Sequence, residues 1–128
     1  MNPEPNGALV IFDLDGTLVD SAPDLVASMT FALTLVSIDV PSVAAMTSYI
    51  GNGAERLVHR CLTNSFDGIA DEKLFDRASK SFFDHYRANV CAKSAVYPQV
   101  TSTLTELKNC GYRLACVTNK PARFTEPL

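Results

Sequence analysis

An apolar run that stops abruptly on two acids constrains this chain most. Ala8-Leu9-Val10-Ile11-Phe12 leads directly into Asp13-Leu14-Asp15-Gly16-Thr17. Continuous rather than alternating apolarity, with Val and Ile at its centre, predicts a strand covered on both faces, as in a parallel sheet. Open α/β sheets place their ligands outside the carboxyl ends of the strands, where these acids and the glycine fall. A second short run, Leu114-Ala115-Cys116-Val117, also ends in polar residues, Thr118-Asn119-Lys120-Pro121. The expected fold class is therefore α/β, with the two runs as neighbours in one parallel sheet joined by a crossover.

The crossover reads as helical. Ser21-Ala22-Pro23-Asp24 has the form of a capping box with Asp in the Glu position, and Pro23 falls in the first turn. Leu25, Val26, Met29, Leu33 and Val36 then recur at helical spacing. Pro41-Ser42 restarts a helix through Val43, Met46 and Tyr49, and Gly51-Asn52-Gly53 breaks it. A third helix carries Leu57, Val58, Cys61 and Leu62, and residues 64–71 read as a loop. A fourth helix runs from Asp71 to Asn89. Residues 20–93 are thus expected to be an all-helical insertion without a strand. Tyr97-Pro98 marks a turn, Val100, Leu104 and Leu107 form one helical face, and Gly111 follows as the C′ residue. The division expected is residues 1–19 and 94–128 as an incomplete α/β core, with 20–93 inserted. Residues 1–7, with two prolines, two asparagines and a glycine, read as a loose leader.

Composition narrows the function classes. The chain has 128 residues, 47% hydrophobic and 20% charged, which is enough apolar material for a core. Lys plus Arg is 11 and Asp plus Glu is 14, a net charge of −3. Mild acidity argues against nucleic acid as a partner, which calls for a basic face, and against an anionic membrane surface. The longest apolar run is far short of the roughly 20 residues of a membrane span, and no secretory leader is visible, so a cytoplasmic location is expected. Cys61, Cys91, Cys110 and Cys116 form no CxxC pair and are expected to be reduced. His59 and His85 lie among charged neighbours and are expected at the surface. Phe82, Phe83 and Tyr86 are expected to pack between helices. Oligomeric state is not legible.

Asp13 and Asp15 are the chemically loaded pair. Residues two apart on an extended strand point to the same side, so both carboxylates can meet one ligand. Two such acids coexist near neutral pH when a divalent cation sits with them or when one keeps a proton. The first case is a hard-oxygen site suited to Mg²⁺ with waters and a phosphate. The second is a nucleophile and an acid. Gly16 permits close backbone approach and can aim its amide at an oxyanion. The hydroxyls of Thr17 and Thr118 can donate to phosphate oxygens.

These residues carry a family resemblance. Phe12-Asp13-Leu14-Asp15-Gly16-Thr17-Leu18-Val19-Asp20-Ser21 resembles the first motif (DxDGT/V) of the haloacid dehalogenase superfamily, and Leu114 to Lys120 resembles its second, a strand ending in Ser or Thr. The helical insertion resembles the superfamily's cap. Ile50-Gly51-Asn52-Gly53-Ala54 and the TNKP ending resemble the phosphoglycolate phosphatases within it. The resemblance implies a Rossmann-like core and Mg²⁺-dependent hydrolysis of a small phosphorylated metabolite, 2-phosphoglycolate foremost, through an aspartyl-phosphate. It implies Asp13 as nucleophile and Asp15 as acid/base, with Mg²⁺ on a carboxylate oxygen of Asp13 and the carbonyl of Asp15. Gly16, Thr17, Thr118 and Asn119 would hold the phosphoryl oxygens. Gly51, Asn52, Gly53 and Arg56 would face the site from the cap.

The resemblance also has gaps. The family's third motif, a Lys that neutralises phosphate, and its fourth, an acidic pair, both follow the second motif, and Leu128 comes before either. Lys120 sits beside the second motif, with a local role expected, at the phosphate loop or on the surface. Gln99 stands where related sequences usually carry Gly after YP. The chain is expected to be the N-terminal portion of a hydrolase. The alternatives are a catalytically inactive binding or assembly module, and a phosphomutase or another small-molecule phosphatase on the same scaffold.

Overall fold

The computed structural model describes residues 7–128, so most of the expected leader (residues 1–6) lies outside the described residues. The two apolar runs become strands β1 (Leu9–Phe12) and β4 (Arg113–Cys116). They pair in parallel, with Leu9 opposite Arg113 and Phe12 opposite Cys116, as the sequence predicts. Val117 extends the pairing by donating its N–H to the Phe12 carbonyl at 2.8 Å. Both strands therefore end side by side, bringing the DLDGT and TNKP segments abreast.

With only two strands in this sheet among the described residues, one face of β1 is uncovered, as an incomplete core leaves it. Leu9 and Ile11 are 49% and 58% exposed, while Val10 and Phe12 are partly buried. Helix α5 (Val100–Asn109) packs against β4, yet none of its own residues is buried. Gly111 follows it in the left-handed region at φ +87°, as expected of a C′ residue.

The helical expectation holds for α1 (Ala22–Leu35), α2 (Val43–Ser48), α3 (Ala54–Thr63) and α4 (Glu72–Asn89). Ser42 caps α2 by accepting the Ala45 N–H, and Asp71 caps α4 by accepting that of Leu74. Helix α1 lies along α4, and α2 and α3 close the layer. Met29, Leu33, Met46, Val58, Cys61 and Phe82 are buried between them. Burying a side chain of the size of Leu33 or Phe82 is worth about 1.5–3 kcal/mol, so this layer holds the main core. Helix α6 (Ala122–Thr125), beyond β4, inserts Phe124 into it, stacked on Phe83 at 5.7 Å between ring centroids.

A short strand pair escaped the sequence reading. β2 (Val19–Asp20) and β3 (Ala95–Val96) form a two-residue antiparallel ribbon joining the two ends of the helical segment. Two residues are too few for a periodicity to register. The histidines are also corrected: both are half-buried. His59 stacks on Phe75 and accepts the Ala70 N–H, and His85 stacks on Phe31 and pairs with the Ser28 hydroxyl. No helix among the described residues is long and apolar enough to cross a membrane.

Candidate active site

β1 delivers Asp13 and Asp15 into one cleft, whose other wall is the α2–α3 connection and whose floor is the end of β4. Asp13 is exposed, and the Leu14 N–H donates to its Oδ1 at 2.8 Å. Its Oδ2 has no hydrogen-bond partner among the described residues. The chain then folds tightly, with the N–H groups of Thr17, Leu18 and Val19 all donating to the Leu14 carbonyl. Gly16 sits at φ +77°, and an added Cβ would meet nothing within 4 Å, so the constraint on this position is torsional. Its N–H donates to the Val19 carbonyl at 2.9 Å. The expected oxyanion-facing amide of Gly16 is thereby corrected: the turn itself uses that hydrogen. Gly16 and exposed Thr17 do not line the cleft.

Ser21 and Asp24 depart from the capping box. Ser21 is buried with helical torsions and makes no side-chain cap bond. Its hydroxyl donates instead to Oδ1 of Asp15. Asp24 turns away to accept hydrogen bonds from Lys93 and Ser94. A tertiary acceptor on one side and two backbone donors on the other outcompete the local cap.

Of the two places expected for Lys120, the structure has it at the loop after β4, beside Thr118, and not on the surface. Its side chain is only 4% exposed, and its Nζ lies 3.0 Å from the same Oδ1 of Asp15. The ammonium also donates to the Tyr86 hydroxyl and lies 4.9 Å from the centre of that ring. Burial first, then the Asp15 and Asp24 charges, push the Tyr86 phenol well above its ordinary value. Burial, followed by the Asp13 and Asp15 carboxylates, also pushes up the Cys116 thiol at the end of β4.

Thr118, Asn119 and Lys120 line the cleft. Thr118 Oγ1 accepts the Lys120 N–H at 3.1 Å, which leaves its hydroxyl hydrogen available. Asn119 Nδ2 donates to the Gly51 carbonyl at 3.3 Å, tying the β4 tail to the α2–α3 connection. Gly51 and Gly53 line the cleft, at φ +131° and +88°.

Asn52 and Arg56 do not line it, contrary to their expected placement. Arg56 donates to the carbonyls of Gly68 and Phe66, bracing the loop before α4. Asn52 accepts from Arg60, a buried guanidinium that also bonds the Tyr49 and Phe66 carbonyls and lies over the Phe66 ring. Arg60 thus sets the shape of the Gly51–Gly53 turn from behind. Sequence reading missed Arg60, Tyr86 and the buried state of Lys120. A basic residue on an amphipathic helix looks the same in sequence whether it faces solvent or a loop carbonyl. Among the described residues no three His, Cys, Asp or Glu side chains cluster as a metal cage.

Residues 10–127 match the model of the haloacid dehalogenase-like hydrolases. This chain belongs to the haloacid dehalogenase-like hydrolase family. The phosphoglycolate phosphatase of Nitrosococcus oceani is 38% identical over 120 residues, which are 94% of this chain and 53% of that protein. Phosphoglycolate phosphatase 1 of Pseudomonas aeruginosa is 43% identical over 122 residues, 94% of this chain and 44% of that protein. The crystal structure of a predicted phosphoglycolate phosphatase from Haemophilus somnus superposes with a TM-score of 0.83 at 39% identity, covering 95% of this chain and 56% of that one. The chain spans about half the length of these relatives. The family assignment, the likeness to phosphoglycolate phosphatases and the α/β class read from the motifs all stand.

Proposed function

We propose that this chain carries the nucleophile-bearing part of a Mg²⁺-dependent phosphomonoesterase acting on a small phosphorylated metabolite, 2-phosphoglycolate foremost. One observation carries the reading: Asp13 and Asp15 from β1 and Thr118 from β4 line a single cleft beneath the helical layer. The relatives named phosphoglycolate phosphatase support the substrate class. In this reading residues 20–93 act as the cap and residues 1–19 and 94–128 as the partial core.

The donor set suits Mg²⁺. The ion takes hard oxygens, commonly one or two carboxylates, and keeps waters and substrate oxygens for the rest of its shell. Oδ1 of Asp13, which keeps a second lone pair beside the Leu14 N–H, and the carbonyl of Asp15 would hold it, leaving Oδ2 of Asp13 to attack. When bound, it supplies positive charge that lets a carboxylate and a phosphate dianion approach.

The chain's own residues then perform two displacements. Asp13 Oδ2 bonds to phosphorus as the ester P–O bond breaks, and Asp15 gives its proton to the departing alkoxide. Water next attacks the aspartyl-phosphate, Asp15 takes its proton, and the P–O bond to Asp13 breaks, releasing phosphate and restoring both acids. The Thr118 hydroxyl donates to a transferring phosphoryl oxygen. Asn119, held on Gly51, keeps the α2–α3 turn against the cleft and limits water entry.

The test is hydrolysis of a generic aryl phosphate and of 2-phosphoglycolate with Mg²⁺, by the chain and by Asp13→Asn. The expected result is turnover abolished by Asp13→Asn with folding retained, the change being nearly isosteric. Activity that survives in Asp13→Asn refutes the nucleophile. A preference for other phosphate esters moves the substrate to another small-molecule phosphatase or a phosphomutase. A chain without turnover supports the inactive-module alternative.

A further inference from the structure

We infer that Lys120 and Ser21 form a two-donor clamp on Oδ1 of Asp15, which reserves Oδ2 for proton transfer and ties the acid/base group to Tyr86 of α4. The inference rests on the acid/base role proposed for Asp15. Lys120, Ser21 and Tyr86 are positioning residues in it.

The argument is one of hydrogen-bond capacity. An ammonium has three donors and no acceptor. The Lys120 Nζ lies 3.0 Å from Oδ1, and the Ser21 hydroxyl donates to that same oxygen. An oxygen accepting two donors does not itself carry the carboxyl proton. A proton held by Asp15 therefore sits on Oδ2, which has no partner among the described residues, in a side chain that lines the cleft. One oxygen is anchored and the other left to work.

The clamp is built into the fold rather than laid on its surface. The Lys120 side chain is 4% exposed, and Ser21 is 1% exposed. Asp15 is the carboxylate that pairs with Lys120 among the described residues. Tyr86, 1% exposed, receives another ammonium hydrogen. Its ring lies 5.6 Å from that of Phe82 and 5.1 Å from that of Phe124, so it cannot swing away without opening the aromatic core. One ammonium thus links the Asp15 carboxylate to a tyrosine that the aromatic core holds in place on α4. A general acid displaced by about 1 Å can lose a hundredfold in rate, so the orientation matters to the chemistry.

Two measurements on the full chain test this. The first is the side-chain ammonium resonance of ¹⁵N-lysine-labelled protein. Lys120 is expected to give an exchange-protected signal that disappears in Lys120→Met, and to lose its protection in Asp15→Asn and Tyr86→Phe. Absence of any protected ammonium in the unsubstituted chain overturns the clamp, whether or not the chain turns over. The second compares an alkyl phosphate, whose leaving group needs a proton, with 4-nitrophenyl phosphate, whose leaving group does not. Lys120→Met is expected to slow the alkyl ester about 100-fold and phosphorylation by the aryl ester only about threefold, with partial recovery in Lys120→Arg. Equal losses on both esters would show a merely structural lysine and overturn the positioning role. Failure of the nucleophile reading is separately visible as turnover that Asp13→Asn does not remove.

Discussion

Asp24→Ala should cost this fold about 3 kcal/mol, although Asp24 touches no part of the cleft chemistry. The carboxylate is 2% exposed in the first turn of α1. Its Oδ2 accepts the Lys93 N–H at 2.8 Å, the Ser94 N–H at 2.7 Å and the Ser94 hydroxyl at 2.7 Å, and its Oδ1 lies 3.0 Å from the Lys93 nitrogen. Hydrogen bonds to a charged group are worth about 1.5–3 kcal/mol each, so three donors set an upper range of roughly 4.5–9 kcal/mol. Lys93 is exposed and Ser94 half-buried, so water recovers much of this once the carboxylate is gone. A discount of half or more leaves about 3 kcal/mol, a large share of an ordinary domain's stability. At this chain length that is a fall in melting temperature of about 10 °C. Asp24→Asn is the control. Its amide oxygen can stand where Oδ2 stands and keep three donors satisfied, while the charge is lost and the NH2 faces the Lys93 N–H that Oδ1 accepts, so a loss of about 2 kcal/mol, smaller than that of Asp24→Ala, is expected. Thermal and urea unfolding followed by far-UV circular dichroism measure both variants. A drop of less than about 3 °C for Asp24→Ala would refute the claim that this carboxylate holds the exit of the insertion to its entry.

Two further predictions concern stability. Gln99 occupies the left-handed region at φ +67° at the start of α5. Gln99→Gly relieves a torsional cost of about 1–2 kcal/mol against a glycine entropy cost of about 0.5–1, so a gain of roughly 0.5–1 kcal/mol in urea unfolding is expected, and a loss would refute it. Burial pushes the Cys61 thiol from 9.0 up to about 12. The unfolded thiol ionises first, so stability is full below about pH 9 and falls by up to about 1.4 kcal/mol per pH unit from there towards about 12. Cys61→Ala should flatten this decline across the lower part of the window, leaving the shares of Cys116 and Tyr86, whose thiol and phenol are shifted the same way. Urea unfolding at several pH values from about 8 to about 10.5 reads the slope, and an unchanged slope in Cys61→Ala would refute the assignment.

Much of the fold was legible because short-range rules agreed with the tertiary outcome. The runs ending at Phe12 and Val117 were legible as strands, and Ser42, Asp71 and Gly111 as helix boundaries. The same rules failed where a distant partner outbid a local one. Ser21 has every local reason to cap α1, yet Asp15 takes its hydroxyl. Arg56 stands one helical turn from a glycine-flanked break and was expected to face the cleft, yet two loop carbonyls hold it elsewhere. His59 and His85 sit among charges in the sequence, yet each stacks on an aromatic ring from a neighbouring element.

Linear order alone determined that two acids follow an apolar strand, that a threonine follows its neighbour, and that helices lie between. Those are consequences of backbone periodicity and of residue types a few positions apart. Only the tertiary arrangement decided which donors meet which oxygen of Asp15, because Ser21, Tyr86 and Lys120 come from three separate elements. A side chain's hydrogen-bond partner is chosen among all groups that packing brings within about 3 Å, and packing joins residues whose separation along the chain carries no signal.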